Sequence, residues 1–302
     1  MLWLAGLMGL LAVGALGVID LDGDPKDESE NDETPESVED EDGEITAAAL
    51  ESSTPDDAPE GTDGNDILHG TDSADTIAAG GGNDSLNGED GDDLLSGEDG
   101  DDTIFGGNGD DTLNGGAGDD TLQSSAGDDV INGGAGNDAV QGGLGDDTLS
   151  GGAGSDTLFG GWGDDLVNGV EDDPDTDDID DTDEADYLNG GGGDDIIIAG
   201  NDDVVTSGDG ADTIVGGSWI TEGHAMDIID FDSEDDNILL IYEDDTEIPD
   251  IQLLSDPDNP HITQVLMDGV AVANILNSAG ITIEDISIMP LSLAQSAGMA
   301  PA

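Results

Sequence analysis

Residues 106–123 read GGNGDDTLN and GGAGDDTLQ, two adjacent nine-residue units that differ only at their third and ninth positions. The same frame continues on both sides, and twelve units fill residues 61–168 without a gap. After an acidic insertion at residues 169–180, four further units lie between residues 181 and 215, one of them a residue short. A fixed period of this length indicates a solenoid in which each unit packs on its neighbours.

Each unit combines a turn-forming part with a short apolar part. Position four is Gly in thirteen of the sixteen units, position six is Asp in all sixteen, and position eight is aliphatic in all sixteen. The Gly-rich first six residues predict a turn with positive φ angles, which Gly adopts without strain. The last three residues predict a short strand whose central side chain points inward. Parallel stacking of such units would bury one ladder of aliphatic side chains and align the position-six carboxylates.

The position-six carboxylates are the candidate metal ligands. In stacked strands they would lie ~4.8 Å apart and repel one another unless a cation lay between them. Calcium suits such a site, because it accepts about 6–8 oxygen ligands at ~2.3–2.6 Å from carboxylates and loop carbonyls. Zinc and copper prefer His or Cys ligands, and the chain has no Cys. The candidate calcium ligands are Asp66, Asp75, Asp84, Asp93, Asp102, Asp111, Asp120, Asp129, Asp138, Asp147, Asp156, Asp165, Asp186, Asp195, Asp203 and Asp212.

The overall charge narrows the range of partners. The 302 residues include 77 acidic side chains and a single basic one, Lys26, which gives a formal net charge of −76. Phosphate backbones and anionic lipids repel such a chain, so nucleic-acid binding and a basic membrane anchor are excluded. A chain this acidic becomes compact only when multivalent cations cancel part of its charge. Several Ca²⁺ ions are therefore the predicted cofactors.

The nine-residue unit resembles the RTX nonapeptide GGxGxDxUx, in which U is a large aliphatic residue, of the hemolysin-type calcium-binding repeat family. Units such as GGAGDDTLQ match it at every position, and the resemblance covers residues 61–215. It implies an all-β fold, a parallel β-roll with two nonapeptides per turn. It also implies that the position-six aspartates hold calcium between like-facing loops, together with loop carbonyl groups. Ser73 and Glu184 depart from the pattern at position four, and Ser124 and Ser125 at positions one and two.

Four zones follow along the chain. Residues 1–19 are apolar, residues 20–60 predict an acidic, disordered linker, residues 61–215 are the calcium-binding roll, and residues 216–302 predict a small β-rich C-terminal cap. The apolar zone predicts a helix and is open to three interpretations: a membrane anchor, a cleaved secretory signal or a core helix. Calcium sites of millimolar strength fill only outside the cytoplasm. We therefore expect an extracellular or cell-surface protein, with membrane anchoring through residues 1–19 as one alternative.

The C-terminal zone has ordinary strand signals. Aliphatic, β-prone runs occupy residues 237–242, 251–254, 262–267 and 270–275, and the Asp-Gly dipeptide at residues 268–269 predicts a hairpin turn between the last two runs. A helical turn is predicted to begin at Thr282. The segments MDIIDFD at residues 226–232 and DNIL at residues 236–239 resemble a segment that follows RTX arrays. This resemblance implies that the zone caps the open end of the roll.

Enzyme signatures are missing from the sequence. His69, His224 and His261 lie far apart along the chain and form no H-E-x-x-H pair, and no G-x-S-x-G elbow occurs. In the insertion, acids at residues 173, 175 and 177, with Glu184, have the spacing of an EF-hand loop, but Asp178 stands where such a loop has Gly and no helix is predicted on either side, so we expect a solvated bulge. The predicted function is a calcium-folded structural or interaction module with an extracellular protein or polysaccharide partner. The alternative is a secreted enzyme or export carrier with its activity in residues 216–302.

Overall fold

The computed structural model describes residues 59–171, 181, 184–244, 246–256, 259–276 and 280–300. The apolar segment at residues 1–19, including its predicted helix, and nearly all of the acidic linker at residues 20–60 lie outside these ranges. Within the described ranges, no helix is long and apolar enough to cross a membrane. The insertion is described only at its first three residues, so its EF-hand-like acids at 173, 175 and 177 also lie outside.

Twenty-three strands, one short helix and a 3-10 turn make up the described chain. Before the insertion, the strands are β1 (Glu60–Thr62), β2 (Ile67–His69), β3 (Thr76–Gly81), β4 (Ser85–Asp90), β5 (Leu94–Asp99), β6 (Thr103–Asn108), β7 (Thr112–Ala117), β8 (Thr121–Ala126), β9 (Val130–Ala135), β10 (Ala139–Leu144), β11 (Thr148–Ala153), β12 (Thr157–Trp162) and β13 (Leu166–Asn168). After it follow β14 (Tyr187–Gly192), β15 (Ile196–Ile198), β16 (Val204–Asp209), β17 (Thr213–Gly217), β18 (Met226–Ile228), β19 (Asn237–Tyr242), β20 (Ile251–Ser255), β21 (Ile262–Met267), β22 (Val270–Leu276) and β23 (Ile286–Pro290). The helix is α1 (Leu291–Ser296).

These strands form two sheets wound as a parallel β-roll, so the all-β solenoid predicted from the repeat is confirmed. Odd-numbered strands from β1 to β19, followed by β23, form one sheet, and even-numbered strands from β2 to β18, followed by β22, β21 and β20, form the other. Each array strand pairs with the strand two units later, as where Leu113 of β7 pairs with Ile131 of β9. Two units therefore complete one turn of the roll.

The insertion and the short unit do not disturb this register. Leu158 of β12 pairs with Leu188 of β14, thirty residues later, and Leu188 pairs with Val205 of β16, seventeen residues later. Strand pairing depends on the alignment of the x-aliphatic-x segments, so the loops between them absorb the change in length.

Most array strands are longer than the three residues that the sequence predicts. β7, for example, contains positions seven to nine of one unit and positions one to three of the next. Its burial alternates, with Leu113 and Gly115 buried and their neighbours more exposed. Because Gly has no side chain, the opening Gly pair shows no polar alternation in sequence, yet its backbone pairs with the adjacent strands. The turn is thereby reduced to positions four to six, and Gly118 in this turn has a φ of 131°.

The core of the roll consists of position-eight side chains, which stack in one ladder on each of the two sheets. Each of its sixteen members is at most 1% exposed. They are Leu68, Ile77, Leu86, Leu95, Ile104, Leu113, Leu122, Ile131, Val140, Leu149, Leu158, Val167, Leu188, Ile197, Val205 and Ile214. Most units thus contribute one large apolar side chain, with Ile198 and Val215 as further buried residues in two of the last units, and the core is narrow.

The C-terminal strands extend the same two sheets. β18 and β22 continue the even-numbered sheet, and β19 and β23 continue the odd-numbered sheet, all in parallel. β20, β21 and β22 form an antiparallel meander, and the predicted hairpin turn at Asp268 and Gly269 is confirmed, with positive φ at both residues. Thr282 caps the 3-10 turn Ile283–Asp285, as its predicted helical start requires.

Candidate metal centre

The position-six aspartates form two columns, one along each edge of the roll. The column before the odd-numbered strands begins at Asp75, and the column before the even-numbered strands begins at Asp66. Fifteen of the sixteen carboxyl-bearing residues are at most 4% exposed, the exception being Asp75. Asp is rarely buried without a partner, so each column needs a physical explanation.

One oxygen of each carboxylate is used within the roll itself. The backbone N–H of Asp102 donates to Oδ1 of Asp120 at 2.7 Å, and the N–H of Asp120 donates to Oδ1 of Asp138 at 2.8 Å. The same bond crosses the insertion, where the N–H of Asp156 donates to Oδ1 of Asp186 at 2.7 Å. Every such bond joins one turn to the next. The Oδ1 atoms therefore hold successive loops in register.

The second oxygen of most of these carboxylates has no partner. Oδ2 is buried without a hydrogen bond in Asp84, Asp93, Asp102, Asp111, Asp120, Asp129, Asp138, Asp147, Asp156, Asp165, Asp186, Asp195 and Asp212. A buried acceptor without a donor is costly, and more so when it is charged. These thirteen atoms are divided between the two columns and lie where a positive charge would be needed to balance them.

Backbone carbonyl oxygens share the space around Oδ2. A Cβ on Gly133, at position one, would lie 2.5 Å from Oδ2 of Asp138 and 2.5 Å from the carbonyl oxygen of Gly151. Gly151 is position one of the unit one turn later. The absence of a side chain at position one thus leaves a cradle between a carboxylate and a carbonyl of adjacent turns.

The electrostatics of the columns show the cost of burying these groups without a cation. Burial, opposed in part by backbone hydrogen bonds, raises the pKa of Asp120 to about 6 and the pKa of Asp138 and Asp147 to about 7. The pKa of Asp186 rises to about 9, first through burial and then through the negative charge of Asp203. A hard cation beside these oxygens would oppose both effects, because its positive charge favours the ionised carboxylates and lowers their pKa.

The sequence profile of the RTX calcium-binding nonapeptide repeat matches this chain in overlapping segments that together run from residue 60 to residue 218. These residues make up more than half of the 302-residue chain. The chain belongs to the RTX calcium-binding nonapeptide repeat family. The residues of the cradle fit the family's cation, because the cradle offers a partnerless carboxylate oxygen and carbonyl oxygens and no nitrogen or sulfur ligand.

Other comparisons add little to the family assignment. A search of curated proteins finds no match. One similar solved structure is the solution structure of the AlgE6R3 subunit from the Azotobacter vinelandii mannuronan C5-epimerase, at 17% sequence identity and a TM-score of 0.17. The match covers 75% of this chain and 79% of that chain.

Side chains alone do not complete a site in this RTX roll. Within the described part of the chain, no group of three or more His, Asp or Glu side chains is arranged to hold a metal ion. A cation in the cradle would therefore depend on carbonyl oxygens for most of its ligands. This dependence agrees with calcium, which accepts backbone carbonyls readily.

Three of the sixteen predicted ligands differ from the rest. Oδ2 of Asp75 accepts hydrogen bonds from the N–H and the hydroxyl of Thr71, and Oδ2 of Asp203 accepts one from the N–H of Gly200. Asp66 has the same arrangement with a preceding Thr, and its partnerless oxygen is Oδ1. Protein donors thus occupy Oδ2 at the ends of the columns, a difference that the uniform sequence pattern does not reveal.

Two further acids join the columns and were missed from sequence. Asp236 is 6% exposed, and its Oδ1 accepts a 3.2 Å hydrogen bond from the N–H of Asp212. The signal for it was present, because Ile238 follows Asp236 at the spacing of positions six and eight. Asp181 stands at position one, where most other units have Gly, and its Oδ1 is buried without a partner. The column before the even-numbered strands ends at Asp203. In the pairing of β16 with β18, the next position in register is the apolar Met226.

A second ladder runs along the outside of the loops at position five. The N–H of Asp110 donates to Oδ1 of Asp92 at 3.1 Å, and the N–H of Asp128 donates to Oδ1 of Asp110 at 3.0 Å. These bonds run toward the N-terminus, whereas those of position six run toward the C-terminus. The position-five side chains are exposed, so their charges are solvated and need no cation.

The histidines lie in separate surroundings. His69 is 3.8 Å from Glu89, and Nδ1 of His224 is 2.6 Å from Oδ2 of Asp202, both pairs being about half exposed. His224 and Asp202 border a cleft of about 380 Å³ together with Glu184, Ala185, Asn201 and Thr221. His261 contacts Asn259 through its backbone N–H. The structure therefore does not bring the three histidines into one site.

Proposed function

We propose that this chain is a calcium-folded structural or interaction module, in which the position-six aspartates hold Ca²⁺ between successive turns. The observation that carries the proposal is the set of thirteen buried Oδ2 atoms without hydrogen-bond partners in the two columns. The aspartates that carry these thirteen atoms are the main ligands. Asp66, Asp75 and Asp203 are weaker ligands, because protein donors already occupy one of their oxygens.

The proposal follows from the balance between core and charge. One aliphatic side chain for every nine ordered residues is a thin core, because ordering each residue costs conformational entropy. The buried carboxylates add desolvation and mutual repulsion to that cost. A bound ion contributes RT ln(1 + [L]/Kd), or about 2.7 kcal/mol per site at a hundredfold excess of ligand. Over many sites this contribution exceeds what the core supplies.

The residues of each loop have different roles in such a site. Oδ1 of the position-six Asp keeps the turns in register, and Oδ2 with the carbonyl of position one in the next turn faces the cation. The Gly at position one leaves the space open. Calcium supplies the positive charge that lets adjacent carboxylates approach. No catalytic step is required of these residues.

We further propose that the protein is exported or held at the cell surface, because calcium sites of modest affinity fill there. Residues 1–19 would serve as the anchor or signal. An extracellular protein or a polysaccharide is the proposed partner class. Sites with Kd values of ~10⁻⁴–10⁻³ M, typical of extracellular modules, would keep the roll unfolded before export.

The test is a calcium titration of the full chain, first stripped with chelator and followed by circular dichroism and calorimetry. We expect the β signal to appear on addition of calcium and to disappear again with EDTA. Magnesium at the same concentration is the control, because it prefers tighter octahedral sites and gives up water reluctantly. A full β signal in EDTA, or equal folding by magnesium, would refute the proposal.

The alternative is a secreted enzyme or export carrier with its activity in residues 216–302. One observation favours it: His224 of this zone pairs with Asp202 of the roll beside the 380 Å³ cleft, to which the zone also contributes Thr221. Such a pair fixes the tautomer of His224 and leaves Nε2 available. NMR of the His224 ring in the calcium-loaded protein tests whether Nδ1 keeps its hydrogen bond to Asp202, and a ring without a fixed tautomer would count against this alternative.

A further inference from the structure

Aromatic residues collect on one outer face of the roll. The chain has only eight aromatic residues, and four of them, Phe105, Phe159, Trp162 and Tyr187, lie on outward positions of the even-numbered sheet. We call the outer surface of β6, β8, β10, β12 and β14 the aromatic face. No outward side chain of these five strands is charged. The aromatic face is therefore uncharged, although the chain as a whole has a net charge of −76.

The rings of the aromatic face are accessible. Trp162 is 69% exposed and Leu144, its register partner on β10, is 58% exposed. On the opposite side of Trp162, the six-membered ring comes within 3.5 Å of the place where a Cβ on Gly192 would stand. The indole thus extends over a position that has no side chain. Leu144, Trp162 and Gly192 form an apolar strip across three strands.

A second strip runs parallel to the first. Phe159 is 40% exposed, and its ring centroid is 5.8 Å from that of Tyr187 on the adjacent strand. On its other side, Phe159 pairs with Gln141, which pairs with Gln123. Amide side chains capable of donating and accepting hydrogen bonds therefore continue the line of the rings across the sheet.

The other sheet provides an internal comparison. The outward positions of β7, β9 and β11 carry Thr, Asn, Ser, Ala and one Val, and no aromatic residue. Both sheets have the same position-eight core and the same carboxylate columns. Neither the core nor the calcium sites therefore explain why the exposed rings Phe105, Phe159 and Trp162 all lie on the even-numbered sheet. Exposed aromatic side chains on one face indicate an interaction surface.

We propose that the aromatic face binds a neutral polysaccharide chain. The face of an aromatic ring is negative. The C–H groups on one face of a sugar ring are apolar and slightly positive, so the two faces pack together. The amides of Gln123 and Gln141 and neighbouring Thr hydroxyls would pair with sugar hydroxyls. This inference rests on the proposed function, because the face exists only in the folded roll, and it names the class of that partner.

The charge of the molecule selects among possible occupants. Nucleic acids and acidic polymers are repelled by a chain with a net charge of −76. A second copy of the chain brings the same charge and is repelled equally. A basic protein would find no carboxylate on this face, since its outward positions from β6 to β14 are uncharged. A neutral chain of hydroxyl-bearing rings matches both the apolar strips and the amides.

The test is affinity electrophoresis of the full chain in calcium, in native gels containing hydroxyethyl cellulose, galactomannan, dextran or polygalacturonate. We expect a neutral polymer to slow the protein and Trp162→Ala to weaken that binding about tenfold. Val130→Ala, an exposed apolar residue on the other sheet (50% exposed), is the matched control and leaves the retardation unchanged. Trp162 is exposed, so its loss does not affect the core.

Each remaining outcome counts against the inference. A folded protein that no neutral polymer slows overturns it, as does retardation by polygalacturonate alone or retardation that survives Trp162→Ala. Concentration-dependent dimerisation abolished by Trp162→Ala would assign the face to a second copy. Circular dichroism of the same samples separates the two proposals: absence of β structure in calcium refutes the proposed function, whereas β structure without retardation refutes only the polysaccharide.

Discussion

The two oxygens of each position-six carboxylate have separate tasks. Oδ1 of Asp120 accepts the N–H of Asp102 from the preceding turn, and Oδ2 is buried without a partner. The adjacent Asp119 is exposed and accepts a hydrogen bond from Asn137 on the outer side of the loop. Two neighbouring residues of the same type therefore occupy opposite sides of one turn, one facing the proposed cation and one facing water.

The substitution Asp120→Asn distinguishes the hydrogen bond of Oδ1 from the proposed cation contact of Oδ2. The amide keeps an oxygen for the N–H of Asp102 but places an uncharged NH₂ where Oδ2 stood. We expect the loss of one or two bound calcium ions and about 2 kcal/mol of stability, or about 4–8 °C in the thermal midpoint. Asp119→Asn keeps its acceptor oxygen and is the matched control. Calorimetry and thermal melts of both variants measure the difference, and equal effects would contradict the assignment of Oδ2.

The buried carboxyls also predict how the cation-free protein responds to pH. Burial raises the pKa of Asp138 and Asp147 to about 7, against about 4 in an unfolded chain. Between these values the folded state binds more protons than the unfolded state, so stability falls as pH rises from about 4 to about 7. In EDTA we therefore expect more β structure at pH 5 than at pH 8.

The same groups set the pH dependence of calcium binding. Protons compete with calcium below about pH 7, so the calcium concentration at half-folding should rise on acidification. The double variant Asp138→Asn, Asp147→Asn removes two titrating groups and should reduce the pH dependence in EDTA. Circular dichroism across the pH range measures both. A β signal in EDTA that grows with rising pH would contradict this account.

Strands were predictable from the repeat, but only in part. The aliphatic residue at position eight predicts an inward side chain every nine residues, and the structure shows it from Leu68 to Ile214. The strand extension through the opening Gly pair was not predictable, because residues without side chains carry no inward–outward pattern. The different hydrogen bonding at the column ends was not predictable for another reason. The N–H groups of Thr62 and Thr71 donate to the carboxylates of their own loops, and the repeat pattern does not show such local contacts. Asp236 lay beyond the unbroken period.

The pairing of β17 with β19 gives a prediction for the C-terminal end of the odd column. Oδ2 of Asp236 accepts the N–H of Asp232 at 2.7 Å and the hydroxyl of Ser207 at 3.3 Å. In Asp236→Asn an NH₂ group would face these two donors, at a cost of about 1–3 kcal/mol. We expect faster amide exchange in β17 and β19. The exposed neighbour Asp235→Asn is the control, and unchanged exchange in Asp236→Asn would show that the column ends before it.

At the scale of the whole molecule, cation binding is a collective property. Twelve unbroken units, each contacting the unit two positions later, provide about ten such contacts before the insertion, and each added turn depends on its neighbours. We expect calorimetry of the full chain to give at least about ten calcium ions bound cooperatively. One or two ions would contradict the column. The insertion should not reduce the number sharply, because the Asp156–Asp186 bond spans it.

The pairing of every strand with the one two units later also constrains how the gene can change length. Removing residues 115–132, two whole units, would leave Phe105 and Phe159 on the same side of a shorter roll. Removing only residues 115–123 would transfer every later strand to the opposite side and separate Phe105 from Trp162. Duplication and deletion in steps of eighteen residues are therefore neutral for the surfaces of this protein. Steps of nine residues exchange its two faces.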